Sequence, residues 1–533
     1  MGSDMPRRQA LRGRARSGWV AGAVVGVLAL AGTSDLHAQA SAGPASAQTS
    51  AQAAVLQPAT VAQLLVTRSL ELAYARGSVS IAQALFKAEA ALYEPVLFAA
   101  IRRTQTDRQR TAQEILNDAL NKDIGLFIKL EERASALEFG VRQRMPSGGE
   151  LSGAVRSRTL DGNHPTVYPD EVRSTSALVL TLKQPLLRGR GAQYTETDLR
   201  VAELESQIAA WQFRQQLQKV VGEGLSLYWQ AWVAAESRKL RDELVRTSTA
   251  QLQETRQRVR AGRMAERVVA EVERLRLDRL SEAVRAGQAH DEARVRLLSA
   301  LNLDASQLEG LALQPADPGL ALQPVERAAA QALAQWPAYQ IARLRREQGL
   351  VRLAFARDQV KPAVDVQVSY TSSGAQPTVS SSFSTVSRGT YPEWSVGLNV
   401  ELGAFGGRKA QAQVLAQQMR LSQSDAEIEA ITSAFSNDLS ARLWALASAQ
   451  RDLELRRSEL TMRRQFLEEE RRRLGAGVGL PASVMLAEDD LIESDIRTLE
   501  AVGRLETVRL ALALADGTLL DAHGVEARLP AAP

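Results

Sequence analysis

Cysteine is absent from all 533 residues, which excludes disulfides, thiolate metal sites, cysteine nucleophiles and a lipid-modified N-terminal cysteine. Aromatic residues are scarce at 5%, while Ala, Leu, Gln, Glu and Arg abound; this is the usage of long helices and coiled coils rather than of α/β enzymes. Long apolar runs are also missing. The one at the N-terminus, Trp19 to Ala31, is shorter than the ~20 residues a membrane-spanning helix needs. No later stretch is a candidate, so a mature protein that spans a membrane must do so as a β-barrel.

Catalytic signatures are equally thin. Beyond residue 40 the histidines are His164, His290 and His523, far apart and without carboxylate or cysteine companions at ligand spacing, so packing or surface roles are expected. Gly189-x-Gly191 is a fragment of a phosphate loop that opens no βαβ unit. With no Ser/His/Asp triad and no paired-carboxylate signature, the chain reads as a non-enzyme without cofactor or metal. Lys plus Arg number 65 against 61 for Asp plus Glu. Removing the leader's Arg7, Arg8, Arg12, Arg14 and Arg16 with Asp4 and Asp35 leaves 60 against 59, too even a balance for a nucleic-acid partner.

The Arg-rich start, the apolar run and Ala38-Gln39-Ala40 as a small-x-small site read as a secretory signal peptide over residues 1–40. Residues 41–58, rich in Ala, Ser, Gln and Pro, are expected to form a flexible tail. A second break, 304–324, carries Pro315, Pro318, Gly319 and Pro324 and reads as a linker between parts of comparable size.

Those parts repeat each other. Val179–Arg190 (VLTLKQPLLRGR) overlays Gly397–Arg408 (GLNVELGAFGGR), each a strand pattern ending in a Gly turn before a helix. Arg258–Glu271 matches Arg473–Glu488, and Arg296–Asn302 matches Arg509–Ala515. The common order and offset indicate an internal duplication of roughly 215 residues. The first repeat is placed at 59–303, the second at 325–516, and 517–533 as a C-terminal tail.

Proline is absent between Pro185 and Pro315 and between Pro392 and Pro481. Because an interior proline costs a helix about 3 kcal/mol, these gaps permit long helices, placed at about 191–260 and about 407–474. Leu439, Leu446, Leu453, Leu460, Leu467 and Leu474 recur every seven residues, a coiled-coil packing seam. Gly222 and Gly224 interrupt the first rod and mark either a bend or a close helix approach.

Strands alternate just as legibly. Trp394, Val396, Leu398, Val400 and Leu402 alternate with polar residues over 393–402, and Val364, Val366, Val368 and Tyr370 do so over 362–371. In the first half, strands are expected at 96–103 and 174–184. A further hairpin at 134–158 turns at Pro146-Ser147-Gly148-Gly149, and its membership of a barrel is open. Thr371–Pro392, rich in Ser, Thr and Gly, suits an exposed loop.

In both halves a helix ends at a proline that opens a strand (Tyr93-Glu94-Pro95, Val360-Lys361-Pro362). The first returning strand ends in Gln184-Pro185-Leu186-Leu187-Arg188-Gly189, and a Gly-containing helix turn is followed by an Ala-Glu pair. These duplicated elements, over about residues 60–516, resemble the TolC family of outer-membrane efflux proteins. The resemblance implies a mainly α fold with a membrane β-barrel portion: a homotrimer whose subunits each give four strands to one barrel in outer-membrane lipid, continued by a helical tunnel across the periplasm. It implies a periplasmic adaptor and an inner-membrane transporter of RND or ABC type as partners, in tripartite efflux or type I secretion. It places the entrance and adaptor contact at the helix turns, here Arg260, Gly262 and Arg263, and Gly475, Gly477, Val478, Gly479 and Leu480. Where some members ring the entrance with acidic residues this chain has Ser483 and Leu486, with Glu488 and Asp489 further on; Glu266, Arg263 and Arg473 are alternative gate charges. Pro185, Gly189, Gly406 and Gly407 mark the strand-to-helix junctions. The alternative reading is a soluble periplasmic coiled-coil adaptor or scaffold.

Overall fold

The computed structural model describes residues 55–109, 111–112, 129–162, 173–303, 312–313, 325–402 and 407–525. The expected leader, most of the 41–58 tail, most of the linker, Gly406 and His164 lie outside the described residues.

Two helices dominate: α4 over Thr197–Arg260 and α9 over Arg408–Gly475, with 64 and 68 residues. At ~1.5 Å per residue each is on the order of 100 Å long. Each turns at its end into a shorter antiparallel helix, α5 (Arg267–Leu301) and α10 (Pro481–Asp516). The opposite halves of α4 and α9 are covered by α2 (Leu70–Ala90) and α7 (Pro337–Gln359). Smaller elements are α1 (Pro58–Arg68), α3 (Ala192–Thr195) and α6 (Val325–Gln335).

The seam leucines explain the second rod. Leu439, Leu446, Leu453, Leu460 and Leu467 are all buried. Leu439, Leu446 and Leu453 cluster with Ala501, Leu505 and Leu512 of α10, and Leu467 with Val484 and Ala487. In the first rod, Phe213, Leu217, Val221, Leu225, Tyr228, Trp229 and Trp232 form the largest core with α1, α2 and α5. The Tyr228 hydroxyl donates to Leu56 O at 3.1 Å. Gly224 marks a close approach, not a bend: α4 runs through it, and a Cβ there would stand 2.3 Å from Leu65 Cδ1 of α1. The expected C-terminal tail packs instead as far as Val525: α11 (Leu519–Ala522) brings Leu519 and Leu520 into this core. A two-residue strand β1 (Val55–Leu56) pairs in parallel with β6 (Ala312–Leu313), joining the start of the described chain to the inter-repeat segment.

Among the described residues, six strands form one antiparallel sheet: β2 (Val96–Gln109), β3 (Lys129–Arg144), β4 (Glu150–Gly162), β5 (Ser174–Pro185), β7 (Ala363–Gln376) and β8 (Pro392–Glu401), in that spatial order. Six is not the four implied by the resemblance. The additional hairpin lies inside the sheet, between the first half's outgoing and returning strands, because its register matches both neighbours. The first strand runs on past residue 103 to Gln109. The Thr371–Pro392 segment is not simply a loop: it completes β7 and then folds as α8 (Val379–Ser387), started by a Thr378–Ser381 capping box. Helix α8 sits on β5 and β7, where Ser176 and Ser382 hydroxyls hydrogen-bond at 2.7 Å.

A two-faced sheet and a paired helical tip

Cross-strand partners share a face, so the register assigns every strand residue to one side. On one side lie Leu97, Ala99 and Ile101; Leu137, Phe139 and Val141; Leu151, Gly153 and Val155; and Leu178, Leu180 and Leu182. Val364, Val366, Val368 and Tyr370 continue that side, then Trp394, Val396, Leu398 and Val400. Most of this side is uncovered, with Ile101 83% and Trp394 75% exposed, and α8 packs on its Ser176–Gly374 end. The other side carries Arg102, Glu138, Arg142, Arg156, Lys183, Asp365, Asn399 and Glu401, with ion pairs at Arg156–Glu138 (3.0 Å) and Lys183–Asp365 (3.2 Å). No helix among the described residues is long and apolar enough to cross a membrane.

The sheet joins the helices at compact junctions. Gly189 and Gly191 both have positive φ, and the Gly189 N–H donates to the buried Asp358 carboxylate at 2.6 Å at the end of α7. Pro185 ends β5 and Gly407, at φ +64°, starts α9.

At the far end, the α4–α5 and α9–α10 turns open with the same set of hydrogen bonds. Gly262 (φ +68°) and Gly477 (φ +82°) take the left-handed conformation that ends a helix without steric cost. The N–H groups of Ala261, Gly262 and Arg263 donate to Gln257, Val259 and Arg258 O, and those of Ala476, Gly477 and Val478 to Arg472, Leu474 and Arg473 O. Arg260, Arg263, Glu266, Gly475, Val478 and Leu480 are exposed, whereas Gly479 closes against the Leu474 backbone. Arg473 is exposed and pairs with Glu470 at 2.9 Å.

Glu488 and Asp489 do not share that exposed surface. Glu488 is 5% exposed and faces Arg279 of α5, itself 3% exposed. The Arg279 guanidinium donates to Met485 O (2.6 Å) and Asp489 Oδ1 (2.7 Å) and approaches Glu488 Oε2 at 3.4 Å. Gln251 of α4 and Arg471 of α9 both donate to Glu488 at 2.9 Å, so one carboxylate ties four helices together. Burial raises the Asp489 pKa above the ordinary aspartate value, outweighing the Arg279 charge beside it. Sequence reasoning missed Arg279; its signal is a lone arginine inside the apolar row Val272, Leu275, Ala283. His290 lies beside Arg238 and Asp291, and His523 bonds Leu519 O; no cluster of metal-binding groups occurs among the described residues.

No protein-family model matches the sequence, and no curated protein is significantly similar to it. Solved structures are similar in fold. A membrane protein from Pseudomonas aeruginosa aligns with TM-score 0.62 at 15% identity, over 87% of this chain and 91% of that one. The outer-membrane channel OprN aligns with 0.61 at 15%, over 86% and 90%. The outer membrane protein VceC from Vibrio cholerae aligns with 0.60 at 12%, over 86% and 96%. The chain thus has the fold of the TolC-like outer-membrane channels.

Proposed function

We propose that this protein is the outer-membrane exit duct of an export assembly in a Gram-negative envelope. The carrying observation is a sheet apolar across one face and charged on the other, whose strands run into helices of 64 and 68 residues. Such a sheet suits lipid on one side and water on the other, and rods on the order of 100 Å suit the periplasm rather than a compact domain.

The six strands of the described residues, with open edges at β2 and β8, are too few for a water-filled pore, and an unpaired edge is intolerable in lipid. The remedy is further copies of the same chain, and a homotrimer is the assembly we assign. Apolar rows left uncovered on the rods support self-association: Leu277, Leu280 and Val284 on α5, and Leu455, Met462 and Phe466 on α9. The duct is passive, with substrate driven by an inner-membrane transporter of RND or ABC type through a periplasmic adaptor. The turns at Arg260–Arg263 and Gly475–Leu480 form the entrance and the adaptor contact. Of the candidate gate charges, Glu266 and Arg473 are assigned to that entrance, while Glu488 and Asp489 hold its helices together.

Membrane fractionation tests the reading. The mature protein is expected in the outer-membrane fraction, released only by detergent and forming ion-conducting pores in planar bilayers. Recovery in the soluble periplasmic fraction favours a coiled-coil adaptor or scaffold and overturns the duct.

A further inference from the structure

We infer that the β3–β4 hairpin is a full part of the membrane wall, so that three copies of six strands close an eighteen-stranded barrel. The inference rests on the outer-membrane trimer proposed above and fixes the width of its exit.

The hairpin obeys the same two-faced rule as its neighbours. Phe139 stands opposite Ala99 of β2 and Val155 of β4, and Val141 opposite Leu97 and Gly153, so the apolar face crosses the hairpin without a break. Its other face carries Arg156–Glu138 (3.0 Å) and Arg158–Glu132 (2.9 Å) ion pairs. A plug inside the lumen would be wetted on both faces and would not keep Leu137, Phe139 and Leu151 half exposed on one side. A flap on the outside would cover one face of the sheet, whereas β3 and β4 are paired edge to edge with β2 and β5.

The Pro146–Gly149 turn fixes the hairpin's depth. The Gly191 N–H donates to Ser147 O at 2.8 Å, and Ser147 and Gln184 side chains bond at 2.8 Å. Gly148 has φ +87°, and a Cβ there would stand 2.1 Å from Gly189 O. The turn is thus seated on the strand-to-helix junction, where β2, β5, β7 and β8 pass into helices and β3 and β4 do not. Because six is even, β8 of one copy meets β2 of the next antiparallel, and the ring closes without a parallel mismatch.

With strands ~4.8 Å apart and tilted by ~40°, eighteen strands give a backbone diameter of about 36 Å, against about 24 Å for twelve. Barrels of that strand number leave an aqueous channel. The exit therefore admits cargo far bulkier than a small solute, and size selection falls to the helical tip.

The absence of cysteine makes single-cysteine variants clean reporters. Trimers reconstituted in liposomes carry a fluorophore at Phe139→Cys, Leu398→Cys or Ser152→Cys, and are challenged with brominated lipid or aqueous iodide. Brominated acyl chains are expected to quench the label at Phe139→Cys and at Leu398→Cys, and iodide the one at Ser152→Cys. Lipid quenching at Leu398→Cys with iodide quenching at Phe139→Cys removes the hairpin from the wall and leaves the duct intact. Iodide quenching of both sinks the duct itself. Nitroxide distances within the trimer, at Ser152→Cys or at its cross-strand partner Thr181→Cys, give an independent reading. Backbone separations of about 31 Å are expected for eighteen strands, and about 21 Å would overturn the proposal.

Discussion

At the scale of single residues, the molecule spends its buried charge on holding helices, not on chemistry. Arg279 is enclosed by Glu488, Asp489 and Met485 O, and Gln251 and Arg471 complete the set. Asp489 has its pKa raised by burial, so the fold favours its neutral form. The stability this contributes is complete below the ordinary aspartate pKa and is lost as pH rises through the raised value. Asp489→Asn, neutral at every pH, is therefore expected to melt higher than the parent at pH 7.5, with the difference vanishing toward pH 4. A variant that melts lower at pH 7.5 would show that the Arg279 attraction dominates. Beyond the lone arginine in an apolar row of α5, the set was not legible in the sequence, where Glu488 and Asp489 read as acidic residues near a turn and their partner lies more than 200 residues away.

At the scale of elements, what periodicity governs was readable and what tertiary contact governs was not. Seven-residue spacing identified the seam of α9, and Leu439, Leu446, Leu453 and Leu467 of it are buried against α10. Alternation identified the strand pair 134–158 but not its place, because pairing of β3 with β2 and β4 with β5 depends on partners across long segments. Helix α8 was hidden in Ser/Thr-rich sequence of poor helix propensity and forms where it can dock on β5 and β7. The two glycines of α4 separate propensity from packing. At Gly222 a Cβ would meet only Leu519 Cδ2 at an ordinary 3.6 Å, so Gly222→Ala should stabilise by up to about 1 kcal/mol. At Gly224 the same methyl collides with Leu65, so Gly224→Ala should destabilise by about 1–3 kcal/mol. Denaturant titration of both variants checks the contrast, and equal effects would remove the close approach of α1 as its cause.

At the scale of the whole molecule, duplication explains why one chain holds two rods ending in the same turn. The hydrogen bonds at Gly262 recur at Gly477, 215 positions later, matching the offset visible in the sequence. Among the described residues the first repeat contributes a hairpin to the sheet beyond its outgoing and returning strands, and the second carries α8, so the sheet is not a doubled unit but one of six strands. On the proposed reading, its apolar face and the edges left unpaired among the described residues meet lipid and further copies, and the rods span a space deeper than any single domain. Both demands meet in a particle imaged directly. Single-particle imaging of the mature protein in lipid nanodiscs should show three copies closing one barrel within the disc, continued by a helical rod on the order of 100 Å long. A monomer that stays dispersed outside the disc without detergent would contradict the account.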